Sequence, residues 1–482
     1  MTAGSLSRPA RQFPWFAVVP ALVACMVGRW GLSSPSYWRD EAATVQAARF
    51  PLPDLFQLVR HVDAVHALYY AFMHVWIGVF GGGEVAARLP SLIGTVAAAA
   101  GTALLGRRLA GTRVGLLAGL VVALSPTVSE YTELARSYTL VMALGVLVAH
   151  LYLTALSTGE RRAFACYAAG LALLGAAHLF ALLIVVPHAV LLYGRGRVIV
   201  RRWAAAVAGV LLATAPLIRL AGGQSHVIAW VPRPDLTALR DLVGGLAGST
   251  WTAVPVVLLV ALGLTGPSGG ARWFAAAWAV LPPAVLVVVS FVHPVYVFRY
   301  VLICVPAWAL LAALGLDRLR AGRGRLLPVA AAGALLVGLS VPRHLEIRRE
   351  DSRQDDLRLL ARIISAHRQP GDAVLYCRNS YRHIGAAYPA VFHALRDLAL
   401  GGRPQATHSL NGHDVSTAIL EQRLTTVQRV WYIQTAKCPA AQNRPEVDRY
   451  DLVARSPSFR PSGTWRYKGG TAYLYTAGPA TP

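Results

Sequence analysis

Long apolar stretches alternate with short arginine-rich loops over the first 341 residues of the chain. Nine of these stretches are long enough, or nearly so, to cross about 30 Å of hydrocarbon. They lie at 14–32, 89–106, 114–130, 138–157, 201–221, 241–264, 272–291, 296–316 and 325–341. A tenth, 163–193, is too long for one upright helix, and we divide it near His178 into two short helices. The pattern therefore predicts about 11 transmembrane helices.

One further apolar stretch, HALYYAFMHVWIGVF at 66–80, is predicted not to cross the membrane. Its tyrosines, histidines and tryptophan suit a helix that lies in the interface between lipid and water. Treating it as a span would also place the arginines of GRRLAGTR outside and invert every later loop, against the positive-inside rule. Residues 33–88 then form one exterior loop.

The arginine-rich loops predict that the N-terminus, with Arg8 and Arg11, is cytoplasmic. MTAGSLSRPARQF leads into the first apolar stretch without a small-residue cleavage site, so we expect a retained first helix. The chain after residue 341 would lie outside. We expect a multi-pass protein of the bacterial plasma membrane.

Composition supports a membrane protein and argues against nucleic-acid binding. Of 482 residues, 55% are hydrophobic and 14% are charged, whereas soluble domains carry about 25% charged residues. The net charge of +23 is almost all arginine, since Lys437 and Lys468 are the only lysines. Anchoring in the membrane and a basic exposed face explain this charge better than nucleic-acid binding, because no basic run is interleaved with aromatic residues. We expect membrane lipids as partners and no nucleic acid.

The segment 342–482 predicts a small exterior α/β domain after a membrane domain of residues 1–341. EIRREDSRQDDLRLLARII has the pattern of an amphipathic helix, and PGDAVLYC, RVWYIQT and TAYLYTA read as strands. Cys377 and Cys438 lie in this region. They would pair if the domain faces an oxidising exterior, and remain free thiols otherwise.

An acidic pair, Asp40 and Glu41 in SYWRDEAATV, follows the first span by a few residues. Carboxylates this close to a bilayer carry a desolvation cost, which favours a functional role. One of them would act as a general base while the other orients a neighbour. The alternative is a solvated acidic cap on the helix that follows, where negative charge suits the helix dipole.

Three other groups of residues are candidates for substrate binding, each with a simpler alternative. In DAVHALYY, His66 and Tyr69 share a helix face, although an interfacial aromatic belt explains the tyrosine equally well. In SEYTELARSYTL, Arg136 suits a phosphate, and a local Glu133–Arg136 ion pair is the alternative. Arg299 lies near the exterior end of a span, where it either functions or extends to the headgroups.

Taken in order, these motifs resemble a known family. The order is a first helix, the DE pair, HxxLYY, RLPS, GRRLxG, ExARxY and a late RY. It resembles the family 39 and related membrane glycosyltransferases of the C-type fold, whose relatives include protein O-mannosyltransferases and the lipid A aminoarabinose transferase. The resemblance is clearest over 36–150, fainter over 293–315, and does not extend to the C-terminal domain.

The resemblance implies inverting transfer of a sugar from a polyprenyl-phosphate donor to a hydroxyl on a protein, lipid or polysaccharide acceptor. Asp40 matches the catalytic base and Glu41 the accompanying acid. The expected substrate-binding residues are His66, Tyr69, Glu133, Arg136, Tyr138, Arg299 and Tyr300. His66 stands where the family has HPPLYY, with Ala67 in place of a proline.

No cofactor is required by this chemistry. A polyprenyl phosphate leaves as a stable anion, so fixed cations at Arg136, Arg299 and His66 suffice and no general acid is needed. A divalent metal is optional, because no His/Cys ligand cluster indicates one. Two other classes remain open: a lipid or solute transporter, which would place ionisable groups near the bilayer midplane, and a non-catalytic scaffold that displays the C-terminal domain.

Overall fold

The computed structural model describes residues 14–225, 230–265, 269–319, 326–435, 438 and 449–478. Arg8 and Arg11 of the predicted cytoplasmic N-terminus lie outside these residues. The described chain has a helical membrane part, followed by a smaller part that contains a mixed sheet.

The membrane part is helical almost throughout. Its α-helices are α1 (Trp15–Trp30), α2 (Arg39–Ala48), α3 (Leu52–His61), α4 (Ala67–Phe80), α5 (Glu84–Ala110), α6 (Thr112–Leu124), α7 (Pro126–Thr132), α8 (Tyr138–Thr158), α9 (Arg161–Ala177), α10 (Val185–Val190), α11 (Arg197–Gly223), α12 (Leu236–Leu246), α13 (Thr250–Leu264), α14 (Gly270–Ser290), α15 (Val305–Arg318) and α16 (Leu327–Ile347). Short 3-10 segments, Ala64–His66, Leu179–Ile184 and Phe298–Cys304, precede α4, α10 and α15.

Six helices in the described ranges are long and apolar enough to cross a membrane, and two bent pairs raise this number to eight. The six are α5, α8, α11, α14, the segment Phe298–Arg318 and α16. The bent pairs are α6 with α7, at 58°, and α12 with α13, at 74°. The polytopic class is confirmed.

The prediction of 11 spans is too high by this measure, because three of them form shorter helices. Helix α1 has 16 residues and α9 has 17, while the chain from Leu179 to Val190 is a third short helix. The expected break at His178 is confirmed, since α9 ends at Ala177 and His178 is extended. The stretch 66–80 forms α4, also shorter than the spans; its place in the interface stays a prediction.

Helix α5 lies at the centre of the bundle, against α1, α6 and α8. Its close approach to α8 depends on Gly94, where a Cβ atom would lie 2.7 Å from the backbone nitrogen of Leu140. By contrast, only 11% of the spanning residues of α11 and of α16 are buried in the protein. The apolar outer faces of these two helices suit contact with lipid.

The C-terminal part contains α17 (Leu357–His367), α18 (Pro389–Phe392), α19 (Thr417–Leu424) and α20 (Arg449–Ala454). Its strands are β1 (Ala373–Tyr376), β2 (Arg396–Asp397), β3 (Leu400–Gly402), β4 (His413–Asp414), β5 (Arg429–Thr435), β6 (Phe459–Tyr467) and β7 (Gly470–Ala477). Five strands form a sheet in the order β2-β1-β5-β7-β6, with β1 parallel to β2 and β5 and the other pairs antiparallel. Strands β3 and β4 form a separate antiparallel pair.

The three predicted strands are confirmed as β1, β5 and β7, but β6 was not predicted. Its sequence, FRPSGTWRY, contains proline and glycine, which are disfavoured inside sheets and tolerated on edge strands. β6 lies at the edge, and its register shifts between Pro461 and Gly463.

The predicted amphipathic helix is divided in the structure. α16 ends at Ile347, and residues 348–356, which we call the linker, precede α17.

The C-terminal part packs on the predicted exterior loop through hydrogen-bonded pairs. Arg39 of α2 donates two 2.8 Å bonds to the Asp355 carboxylate of the linker. Arg49 donates to the Ala386 carbonyl oxygen at 2.7 Å. Cys377 and Cys438, which the sequence left either paired or free, form a disulfide.

Candidate active site

Asp40 lies in the first turn of α2. It belongs to a group of neighbouring polar residues, Asp40, Asp63, His66, Arg136 and Arg299, which we call the cleft. The Oδ2 atom of Asp40 is 3.7 Å from Nη1 of Arg299, at the start of the 3-10 segment Phe298–Cys304. The Asp40 side chain is 27% exposed and the Arg299 side chain 19%. A carboxylate in this position is accessible to a substrate hydroxyl and lies close to a cation.

Glu41, the neighbouring carboxylate, faces the protein interior. It is fully buried, and its two oxygens accept 2.9 Å bonds from Nε and Nη2 of Arg88 on α5. The backbone nitrogen of Ala135 donates a third bond at 2.8 Å. Arg88 donates further bonds to the carbonyl oxygens of Leu32, Pro35 and Ser36. The expected catalytic role of Glu41 therefore has to be corrected to a positioning role, because no substrate atom can reach its carboxylate.

Arg136 connects α2 with the 3-10 segment before α4. Its Nη1 donates to the Thr44 hydroxyl at 3.2 Å and to the Asp40 carbonyl oxygen at 3.4 Å. Its Nη2 lies 2.9 Å from Nε2 of His66. Ser91, in the RLPS motif, donates to the Arg136 carbonyl oxygen at 2.9 Å and so orients this loop. Arg136 fixes the cleft wall rather than presenting a free cation.

His66 was expected to supply positive charge, and the structure corrects this expectation. A guanidinium group has only donors, so His66 Nε2 must accept the bond from Arg136 and be unprotonated. Burial lowers the pKa of His66 well below its ordinary value, and the charge of Arg136 lowers it further. His66 is therefore neutral at neutral pH and orients the Arg136 guanidinium.

Asp63 is a cleft residue that sequence reasoning missed. It precedes the 3-10 segment with φ of 57°, a left-handed conformation that aspartate tolerates better than most residues. The Tyr70 hydroxyl donates to its Oδ2 at 3.0 Å. Burial raises the pKa of Asp63, and the Arg136 charge opposes this effect. The only sequence signal was its presence in DAVHALYY, one turn before His66.

Arg299 is the more accessible of the two cleft arginines. Its guanidinium lies 5.6 Å from the Trp230 ring and 5.8 Å from the Tyr300 ring. Its Nε–H is buried without a hydrogen-bond partner in the described part of the chain. The Arg299 side chain is 19% exposed, whereas Arg136 is buried and bonded to Thr44 and His66, so Arg299 is the better-placed cation for an anionic ligand.

The remaining expected residues border the cleft or lie away from it. The Tyr138 ring packs edge-on against Tyr131 at 5.4 Å, and Arg136 lies 5.9 Å from it. Tyr300 stacks on Phe180 at 5.2 Å, as expected of a packing residue. Glu133 does not pair with Arg136; it is fully buried and contacts Arg353 at 3.0 Å and Arg348 at 3.4 Å. Its expected substrate contact is replaced by a connection to the linker.

Tyr69 lines a large apolar groove beside the cleft. The groove has a volume of about 730 Å³ and lies among α4, α5, α8 and α9. It extends from Tyr69 and Ser137 at one end to His150 at the other. His150 lies 13 positions after Ser137, the residue before α8, which corresponds to about 20 Å along a helix at 1.5 Å per residue. Because Ser137 follows Arg136, the groove begins at the cleft wall.

A metal site is not evident in the parts of the chain that are described. No group of three or more His, Cys, Asp or Glu side chains is arranged there to hold a metal ion.

The cleft presents one accessible carboxylate, one accessible arginine and an adjoining apolar groove. This combination suits a substrate with an anionic group, a hydroxyl and a long apolar chain.

The helical membrane part and the C-terminal mixed sheet together have the fold of the C-type membrane glycosyltransferases. Two crystal structures of ArnT from Cupriavidus metallidurans share it over 95% of this chain and 98% of theirs, at 14% identity. The TM-score is 0.64 for the apo state and 0.61 for ArnT bound to undecaprenyl phosphate. The aminoarabinose-transferase-like fold expected from the motif order is confirmed.

A mutant of the mycobacterial arabinofuranosyltransferase AftD is similar at a TM-score of 0.51 and 17% identity. That alignment covers 97% of this chain and 42% of AftD. No protein-family model and no curated protein sequence matches the chain. The similarity is therefore one of fold, and the chemistry has to be argued from the site.

Proposed function

We propose that the protein is an inverting glycosyltransferase that moves a sugar from a polyprenyl-phosphate donor to a hydroxyl acceptor. The observation that carries this proposal is the Asp40–Arg299 pair, 3.7 Å apart, together with a large apolar groove of about 730 Å³ that is lined by Tyr69 and Ser137. The carboxylate takes the proton of the acceptor hydroxyl, the arginine binds the phosphate of the donor, and the groove holds the lipid chain of the donor. ArnT has been crystallised with undecaprenyl phosphate, which supports a donor of the same lipid class.

In the proposed reaction, the acceptor hydroxyl attacks the anomeric carbon of the sugar. A bond forms from the acceptor oxygen to that carbon, and the proton goes to the Asp40 carboxylate. The bond from the anomeric carbon to the phosphate oxygen breaks, and its electron pair leaves with the polyprenyl phosphate. Arg299 stabilises the charge that develops there. Arg136, His66 and Glu41 hold α2 and the cleft wall in place, and we propose that no cofactor is needed.

We propose further that the site faces the exterior of a bacterial plasma membrane. The arginine-rich short loops support this orientation, and so does the Cys377–Cys438 disulfide, since disulfides persist in oxidising compartments. In a background without Cys25 and Cys166, Ser365→Cys on α17 should react with an impermeant maleimide in intact cells. Thr158→Cys, on a predicted cytoplasmic loop, should react only after lysis. The reverse pattern would overturn the orientation.

Purified protein in liposomes with a panel of labelled polyprenyl-phosphate sugars tests the function. We expect one sugar to be cleaved from its lipid, with polyprenyl phosphate released and the opposite anomer formed on the acceptor. Membranes of different sources supply protein, lipid and polysaccharide acceptors. Movement of intact donor across the bilayer, without cleavage, would instead identify a lipid transporter.

A further inference from the structure

Helix α2, which carries Asp40 in its first turn, has no cap from its own sequence. The residue at its N-cap position is Trp38, whose side chain makes no capping bond. An indole has a donor and no acceptor, so it cannot satisfy the free N–H groups of a first helical turn. Serine, threonine, aspartate and asparagine usually accept these bonds. The start of α2 therefore needs an acceptor from elsewhere in the chain.

That acceptor is Asp355 of the linker, 316 positions after the start of α2. Its Oδ2 accepts a 3.3 Å bond from the backbone nitrogen of Arg39, the first residue of the helix. The Arg39 side chain donates to the same carboxylate through Nε and Nη2, at 2.8 Å each. Negative charge at this end of a helix is also favoured by the helix dipole. Asp355 thus caps α2 from a distant part of the chain.

The linker that carries Asp355 is itself held on two sides. On the side of the membrane part, Arg353 donates to the buried carboxylate of Glu133 at 3.0 Å. On the side of the sheet, the turn between β6 and β7 packs against Asp355. A Cβ atom at Gly469 of this turn would lie 3.1 Å from the Asp355 Cα atom and closer still to the carboxylate. A cap that is fixed in this way can hold α2 in one position.

We propose, on the basis of the proposed function, that Asp355 is a positioning residue for Asp40. Its carboxylate is buried against Arg39 and does not contact substrate. It holds the first turn of α2 so that the Asp40 carboxylate meets the acceptor hydroxyl at the distance of about 3 Å that proton transfer requires. The linker and the β6–β7 turn then contribute to the rate of the reaction, in addition to joining the two parts of the chain.

Asp372 offers a matched control for Asp355. It pairs with Arg429 at 2.7 Å and accepts a backbone N–H at 3.0 Å, and both partners belong to the C-terminal part. The two carboxylates are 3% and 0% exposed, and their arginines 15% and 19%. Asp355→Asn and Asp372→Asn therefore remove the same charge from similar surroundings, and both should lower the Tm. Only the first removes a bond to α2.

The first test compares the kinetics of these two variants, measured per folded protein. In Asp355→Asn, kcat should fall by about 10- to 100-fold, because a shift of about 1 Å in a reacting group can cost this much. The KM of the donor should stay within about twofold, since its binding groups are unchanged. Asp372→Asn should keep the wild-type kcat. Equal kcat values in the two variants, whether high or low, would overturn the proposal.

The second test moves the cap without changing its charge. Gly469→Ala keeps Asp355 and Arg39 but places a methyl group against the Asp355 carboxylate. Gly371→Ala is the control, because Gly371 also has a positive φ and a Cβ atom there would contact nothing within 4 Å. We expect kcat to fall about tenfold in Gly469→Ala and to stay unchanged in Gly371→Ala. A wild-type kcat in Gly469→Ala would show that α2 does not follow the linker.

A double variant tests whether Asp355 acts through Asp40. In the Asp40→Asn background, adding Asp355→Asn should lower the residual kcat by less than about twofold, because the group that it positions is already lost. A further fall as large as that in the wild-type background would overturn the assignment to Asp40.

Amide hydrogen exchange separates this proposal from the proposed function, because it needs no turnover. In the full-length protein, exchange over residues 39–48 should increase in Asp355→Asn and stay unchanged in Asp372→Asn. If the wild type cleaves no donor but this pattern is found, the proposed function fails and the hold of the linker on α2 stands. Wild-type exchange over α2 in Asp355→Asn would show that the linker does not hold the helix.

Discussion

The two faces of helix α2 carry adjacent carboxylates in opposite environments. On the inner face, Glu41 and Arg88 are both fully buried and share two 2.9 Å bonds. On the cleft face, Asp40 and Arg299 meet at 3.7 Å, with 27% and 19% of their side chains exposed. The same two chemical groups thus form a closed pair on one face and an open pair on the other.

The difference separates a structural ion pair from a candidate catalytic one. The closed pair uses the guanidinium nitrogens and both carboxylate oxygens, so it fixes α2 against α5 and has no capacity for a ligand. The open pair has a free carboxylate oxygen and, in the part of the chain that is described, an Nε–H without a partner. Incomplete pairing beside a groove, rather than the presence of charge, marks the site.

The largest expected effect on folding comes from breaking the closed pair. Glu41→Gln leaves the buried charge of Arg88 uncompensated, which should cost about 3–5 kcal/mol. We expect a clearly lower Tm in detergent and a lower yield of folded protein. Asp54→Asn, in the first turn of α3, serves as the matched control and should keep the wild-type Tm. An unchanged Tm in Glu41→Gln would remove the distinction between the two faces.

The open pair predicts a loss of rate without a loss of folding. Arg299→Gln removes the accessible cation, and loss of one preorganised donor to a developing charge lowers kcat by about 10²–10³. Arg299→Lys should recover only part of the rate, because lysine keeps the charge but not the planar set of donors. Steady-state kinetics measure both variants. If Arg299→Gln retains wild-type kcat, Arg299 has no role at the phosphate.

The smallest expected effect is a dependence of stability on pH through His66. Because the folded pKa lies well below the ordinary value of 6.5, the unfolded chain binds a proton that the folded protein does not. Stability is therefore lost as pH falls below 6.5, by at most about 1.4 kcal/mol per pH unit from this group. His66→Gln keeps an acceptor for Arg136 and does not titrate.

The Tm of His66→Gln should therefore fall less steeply below pH 6.5 than the Tm of the wild type. Other buried histidines contribute equally to both curves, so the difference between them reports His66. Parallel curves would show that His66 is protonated in the folded protein and does not accept the Arg136 bond.

Much of the fold could be predicted from apolar length and arginine placement, because both are local properties of the chain. The helix break at His178 and the strands β1, β5 and β7 were predicted in this way. The bends at Ser125 and between α12 and α13 were not, since tertiary packing decides whether an apolar stretch stays straight. Strand β6 was missed because its sequence breaks the usual rules and only its edge position permits it.

The candidate site was predicted less completely, because partners distant in sequence decide each role. Asp40, Arg136 and Arg299 are brought together as expected. Arg88, which lies 47 positions later, pairs with Glu41 and keeps its carboxylate out of the cleft. Arg348 and Arg353 of the linker do the same with Glu133. These long-range pairings have no local signature in the sequence.

The most direct test is the turnover of Asp40→Asn, measured per folded protein beside Asp54→Asn. Both variants replace one carboxylate of the exterior loop by an amide of the same size. We predict that Asp40→Asn binds the donor and keeps the wild-type Tm while kcat falls by about 10²–10⁴, the contribution of a general base. Asp54→Asn should match the wild type in donor binding, Tm and kcat. A folded Asp40→Asn protein with substantial turnover would contradict the account.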